Sequence, residues 1–200
     1  MSLSFDSRDN EGRTPLSWAA ENGDVESMRT LIHLGADVHS MDLQERTPMI
    51  WAAIFDQVEA IFILYNEGAS TEYGNESALT YASAEGKIEA MRALIAIGSD
   101  TEYEDDTGMT PLQWASYGGN MDAMGILIDI GVDMEYTDEQ GNTALTWASW
   151  AYRKSTLCVR FLIDRGAIDT SNCDGTAFTR SVTTLDGLNK RQYMDIYASA

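Results

Sequence analysis

Residues 12–24 read GRTPLSWAAENGD, and the phrase keeps returning. It comes back as RTPMIWAA at 46–53, SALTYAS at 77–83, TPLQWAS at 110–116 and TALTWAS at 143–149. Aligned on its opening residue, copies start at Thr14, Thr47, Ser77, Thr110, Thr143 and Thr176, with spacings of 33, 30, 33, 33 and 33. A second marker, as in Gly35-Ala36-Asp37 or Gly98-Ser99-Asp100, comes after the first four starts by 21 residues and after the fifth by 23. A fixed period of this length marks an array of stacked units, and it takes precedence over any local assignment.

Each copy contains the same instructions. The opening Thr or Ser offers an N-cap oxygen, and Pro at the next position in three copies sits where a helix has no use for its missing N–H. A short helix comes next, stopped by Gly23, Gly86 or Gly119. A second helix carries apolar residues at helical spacing, as in Val25, Met28, Leu31 and Ile32. Glycine then provides a left-handed C-cap, and an acidic stretch with turn residues leads to the next copy, as in Asp105-Asp106-Thr107-Gly108.

The pattern D-x-x-G-x-T-P-L-x-x-A-A, a second helix, then L-I-x-x-G-A-D resembles the ankyrin repeat, over roughly residues 9–200. The wording of residues 12–24 is similar to ankyrin arrays of fungal type. The resemblance implies an all-α repeat solenoid of stacked helix-turn-helix units with β-hairpin loops and a concave face. It divides the chain into a tail at 1–8, repeats at 9–41, 42–73, 74–104, 105–137 and 138–172, and a C-terminal capping repeat at 173–200. There are departures. The histidine usual after T-P-L is replaced by Ser17, Ile50, Thr80, Gln113 and Thr146, so its bonds to the neighbouring loop must be made otherwise or lost. The hairpin between Ser70 and Ser77 is three residues short. The fifth unit has two extra residues between its helices, within Trp150-Ala151-Tyr152-Arg153-Lys154-Ser155, which predicts a longer first helix or a protruding loop.

In the first helix, Leu16, Ala19 and Ala20 share one face. Trp18 stands about 200° round from Leu16, because each residue turns by about 100°. The tryptophan frame therefore lies opposite the packing face, on the side that lines the groove in an ankyrin-like solenoid. Its members are Trp18, Trp51, Tyr81, Trp114 and Trp147, and the same face adds Ile54, Phe55, Tyr117 and Trp150. The frame tryptophans are expected to be half-buried under the hairpin stems. Ile54, Phe55, Tyr117 and Trp150, further along, are expected to offer a contact surface. An acidic row runs above them: Glu72-Tyr73, Glu102-Tyr103 and Glu135-Tyr136 as the chain enters successive hairpins, then Glu104, Asp105, Asp106, Asp138 and Glu139 at the tips. Aromatic faces and carboxylates both attract cations. The expected partner-binding set is Trp18, Trp51, Phe55, Tyr81, Trp114, Tyr117, Trp147 and Trp150 on the floor, with Glu104, Asp106 and Glu139 on the rim.

Charge agrees in sign. The chain carries −19 overall, but residues 1–150 hold six Lys/Arg against 27 Asp/Glu, a net of −21. Such a chain is repelled by phosphate backbones, so direct nucleic-acid or anionic-membrane binding is not expected. No apolar run of about 18 residues exists to span a membrane, and the start, MSLSFDSRDN, is not a signal peptide. Cys158 and Cys173 form no disulfide framework, and Cys158 falls among Val159, Leu162 and Ile163 as a core thiol. His39 with Asp42 gives two potential ligands, too few for a metal site, and no catalytic motif occurs. The expectation is an intracellular protein, cytoplasmic or nuclear, that has no cofactor or metal and binds a protein partner with a basic surface. The alternatives are an enzyme or small-molecule binder using the same groove, or an acidic mimic of nucleic acid.

Overall fold

Extended backbone stops at a hydroxyl residue each time a helix of the first row begins. Thr14, Thr47, Thr110 and Thr143 hold extended φ/ψ and stand as N-caps, and the Thr14, Thr47 and Thr143 side chains accept the N–H of Ser17, Ile50 and Thr146. At Thr110 the bond is reciprocated, with the Gln113 side chain accepting the Thr110 N–H at 2.8 Å. The computed structural model describes residues 5–74, 76–151 and 155–167. In chain order it gives α1 (Pro15–Asn22), α2 (Val25–His33), α3 (Pro48–Ile54), α4 (Val58–Asn66), β1 (Glu72–Tyr73), β2 (Glu76–Ser77), α5 (Ala78–Glu85), α6 (Ile88–Ala96), α7 (Pro111–Gly118), α8 (Met121–Asp129), α9 (Ala144–Trp150) and α10 (Ser155–Asp164).

The helices sort into two layers. α1, α3, α5, α7 and α9 pack on one another in sequence, and α2, α4, α6 and α8 form the second row behind them. The leucine or methionine of each opening phrase (Leu16, Met49, Leu79, Leu112, Leu145) is buried, and so are Met28, Ile61, Met91 and Met124 of the second row. These residues run as one apolar spine between the layers. Small residues allow the close approach: Ala20, Ala53, Ser83 and Ser116 are all inaccessible. The two serines turn their hydroxyls back to the Leu79 and Leu112 carbonyls at 2.7 Å, so neither leaves a polar atom orphaned. Cys158 lies in the same core.

Three of the five first-row helices end at a glycine; α3 does not, and α9 is capped by Ala151 at φ −58°. Gly23, Gly86 and Gly119 cap the first-row helices at φ between 66° and 71°. In the second unit α3 stops one residue earlier, and Asp56 takes the left-handed place at φ 59°. The loops are held mainly by single turns. Asp9, Asp42, Asp105 and Asp138 each donate their N–H to the carbonyl four residues on. Among the described residues only β1 and β2 form a ladder, antiparallel, pairing Glu72 with Ser77 and Tyr73 with Glu76. This is the connection with three residues missing. Shortening leaves residues 74 and 75 between the strands, the favoured hairpin length, and Gly74 supplies φ 64°.

The fifth unit does not have a longer first helix: α9 ends at Trp150, and the two additional residues fall before α10. Residues 152–154 and the expected capping repeat at 173–200 lie outside the described residues. Among the described residues, no helix is long and apolar enough to cross a membrane.

Candidate protein interaction face

The four tryptophans of the repeated frame share one bond that sequence reasoning missed. Each indole N–H donates to the carboxylate nine residues earlier: Trp18 to Asp9 at 2.9 Å, Trp51 to Asp42 at 3.0 Å, Trp114 to Asp105 at 2.6 Å and Trp147 to Asp138 at 2.9 Å. The other oxygen of each carboxylate accepts two backbone N–H groups, two and four residues on, as at Gln44 and Arg46 for Asp42 and at Gln140 and Asn142 for Asp138. The aspartate thus folds the turn with one oxygen and aims the ring with the other. Asp105 and Asp138, expected as tip charges, are turn-forming groups instead, and Asp138 is 5% exposed. Burial works against the Asp9 carboxylate, yet the Arg13 N–H, the Trp18 indole and the Glu11 N–H together hold its pKa below the ordinary 3.8. The signal was present in the sequence as Asp and Trp at a constant spacing of nine.

The rings do not form one uniform floor. In the first two units the protein's own arginines occupy it. The Arg13 guanidinium lies 3.6 Å from the centre of the Trp18 ring and 3.6 Å from that of Trp51, and it pairs with Glu21. Arg46 lies 4.1 Å over Trp51 and pairs with Asp42 at 3.0 Å. Trp51 is buried as a result, while Trp18 is 42% exposed. Phe55, 44% exposed, tilts against Trp51 with ring centres 6.1 Å apart.

In the fourth and fifth units the rings meet one another instead. Trp114 to Tyr117, Tyr117 to Trp147, and Trp147 to Trp150 are edge-to-face contacts at 6.0, 5.5 and 5.2 Å. Edge-to-face packing satisfies the ring quadrupoles and fixes the orientation of each neighbour. Tyr117 and Trp150 remain 48% and 57% exposed, while Trp114 and Trp147 are half-buried. A cavity of about 260 Å³ opens among Thr107, Met109, Trp114, Tyr117, Gln140 and Trp147.

Tyr81 is half-buried and pairs with Glu76; burial, aided by that carboxylate, pushes its phenol up to about 12. Of the expected rim, Asp106 and Glu139 are exposed. Glu104 is exposed as well but accepts from the Tyr136 hydroxyl, which raises that phenol to about 12. Glu72 and Glu102 serve the stack: they accept the N–H of Asp100 at 3.1 Å and of Asp133 at 2.7 Å in the next loop along. His39 stacks on Tyr73 with ring centres 5.5 Å apart. Among the five residues that replace the expected histidine, Gln113 bridges to the next loop, donating to the Tyr136 and Asn142 carbonyls at 3.1 and 2.8 Å.

Two rows of helices, stacked at a constant period and presenting one ring per unit on one side, define a helical repeat protein. Family models agree. A model of three ankyrin repeats matches residues 35–105 and again 79–174, and a single-repeat model matches residues 11–43. The chain belongs to the ankyrin-repeat family, whose members are generally protein-interaction modules and typically non-catalytic. Among curated proteins, no relative matches the chain.

Proposed function

We propose that this protein is a non-catalytic recognition module that binds a protein partner with a basic surface along the ring-bearing face, between the aromatic floor and the acidic loops. The observation behind this reading is the edge-to-face run Trp114–Tyr117–Trp147–Trp150, half in solvent and flanked by Asp106 and Glu139. Exposed rings held rigid at fixed angles bind at low entropic cost, and such rings dominate the energetics of protein interfaces. The segment 1–150, at −21, favours encounter with a cationic partner.

The test is affinity capture from cells with the wild type and with Tyr117→Ala and Trp150→Ala. Both residues are about half exposed, so the variants are expected to keep the helical signal and the melting temperature within a few degrees. Each is expected to weaken the recovered partner by about 1–2 kcal/mol. Two folded variants that recover every wild-type partner at undiminished yield would remove this face as the site.

A further inference from the structure

The residue just before the opening Thr or Ser is Arg13, Arg46, Glu76, Met109 and Asn142 in the first five units. In the first unit this position sends a guanidinium between two successive frame rings, 3.6 Å from each ring centre. In the second it sends Arg46 over Trp51, and the positive charge is felt at Tyr81 in the next unit. The fold therefore shows what its inter-ring intervals accept: a flat cation, stacked on aromatic faces, beside carboxylates.

Among the described residues, the interval between Tyr81 and Trp114 has no such occupant. Glu76 stands where the arginine would be, and a cavity of about 290 Å³ remains, lined by Glu76, Thr80, Tyr81, Asp105, Asp106 and Trp114. Thr80 is 7% exposed, and its hydroxyl has no hydrogen-bond partner. A buried hydroxyl without a partner is costly, and its lone pairs call for a donor. Burial, with Asp105, Asp106 and Glu45 nearby, raises the pKa of Glu76, the mark of a carboxylate lacking its counterion. Guanidinium has five donors and no acceptor, is planar, and stacks on rings, whereas an ammonium is a compact and strongly hydrated point charge.

We infer that the cavity between Tyr81 and Trp114 receives an arginine side chain of the partner, its guanidinium stacked between the two rings, donating to the Thr80 hydroxyl and paired with Glu76 and Asp106. This rests on the reading of the face as a protein-recognition surface and names the side chain it selects.

The probe is the capped peptide Gly-Gly-Arg-Gly-Gly, titrated against the whole chain while the Trp114 indole and Tyr81 ring resonances are monitored by NMR. Peptides with lysine or citrulline in place of arginine serve as controls. Saturable shifts at both rings are expected with arginine, about tenfold weaker binding with lysine, and none with citrulline, which keeps the shape but lacks the charge. Glu76→Arg, which installs the residue of the first two units, is expected to fill the interval and abolish the response. Thr80→Val and Asp106→Asn leave the backbone and rings in place. Both are expected to weaken the response, and they decide the matter if Glu76→Arg fails to fold. No saturable shift with the arginine peptide, an equal response to lysine, or a response unchanged in all three variants would each overturn the assignment. The two levels fail separately. Loss of the partner in Tyr117→Ala and Trp150→Ala without any arginine response would sink the cavity and leave the face standing. An arginine response without loss of the partner in those variants would sink the face.

Discussion

Asp138 and Trp147 show how a ring proposed for contact can also be part of the frame. The carboxylate spends one oxygen on two backbone N–H groups and the other on the indole, all within 2.8–2.9 Å. Asp138→Asn turns an acceptor into a donor against the indole N–H, and about 1–3 kcal/mol of stability should go with it. Trp147→Phe keeps the ring and drops only the N–H, so a smaller loss, about 1 kcal/mol, is expected. Urea unfolding of the two variants checks the order. The ring frame was legible in the sequence because helical phase alone sets which face a residue takes. The aspartate was not, because an acid in a loop looks the same whether it folds a turn or faces water. The same applied to Arg13 and Arg46: their stacking depends on how loop and helix meet in three dimensions, for Arg13 on a ring of the next unit as well, and charge counting treats them as solvated. Glu76 gives a pH test. Its folded pKa is raised, first by burial, above the ordinary 4.5, so the ionised form opposes folding. The penalty is present above the folded pKa and disappears as pH falls below the unfolded one. Glu76→Gln should therefore raise the melting temperature at neutral pH, with the gain fading in acid as the wild-type carboxyl protonates. The groups facing it are Tyr81, Asp105, Asp106 and Glu45, and none of them is cationic. A gain that persists undiminished below pH about 4 would contradict this origin.

Helix boundaries divide into those announced by a residue and those imposed by the stack. Thr-Pro starts and Gly stops were visible because they act within one turn of chain. The end of α3 was not, because Asp56 fills the left-handed place that glycine holds elsewhere. Its carboxylate has a reason to be there: it accepts the Ala90 N–H in the first turn of α6, at 2.7 Å. Glu45, the other left-handed non-glycine among the described residues, stands where Gly12 and Gly108 stand in other units, and it is exposed. The two positions should answer glycine differently. Glu45→Gly removes strain at no loss of contact and should stabilise by about 0.5–1 kcal/mol. Asp56→Gly removes similar strain but uncaps α6, and the net change should be near zero or destabilising. Thermal unfolding of the pair decides it; equal stabilisation by both would mean that the Asp56 cap contributes nothing. The regular hairpins implied by the resemblance appear among the described residues only where the loop is shortest, since longer loops are organised by aspartate side chains rather than by strand pairing.

At the scale of the whole array, each unit is tied to the next by side chains reaching across the step. Gln57 donates to the Glu21 carbonyl, Asn120 to the Ala84 carbonyl, and Arg165 pairs with Asp129. Bonds of this type join nearest neighbours, as expected for a stack whose stability is built interface by interface. The acid is laid along the same axis, and a basic partner should feel it before contact. Complex formation should weaken as salt rises from low to physiological, mainly through a slower on-rate. Neutralising Glu104, Asp106 and Glu139 together should reproduce that slowing. Stopped-flow association at several salt concentrations checks both statements, and salt-independent rates would leave solubility as the reason for the charge.

The bond between Asp and Trp closes within a single unit, nine residues from end to end, so a duplicated unit inherits its ring already aimed. In the first two units the group that joins the ring comes from elsewhere, the arginine just before the opening Thr, and the next three units hold glutamate, methionine and asparagine at that place. Heredity of the scaffold and spelling of the message are thereby kept apart. A substitution at that one position per unit can change what meets the ring while the four frame indoles stay anchored to their own turns.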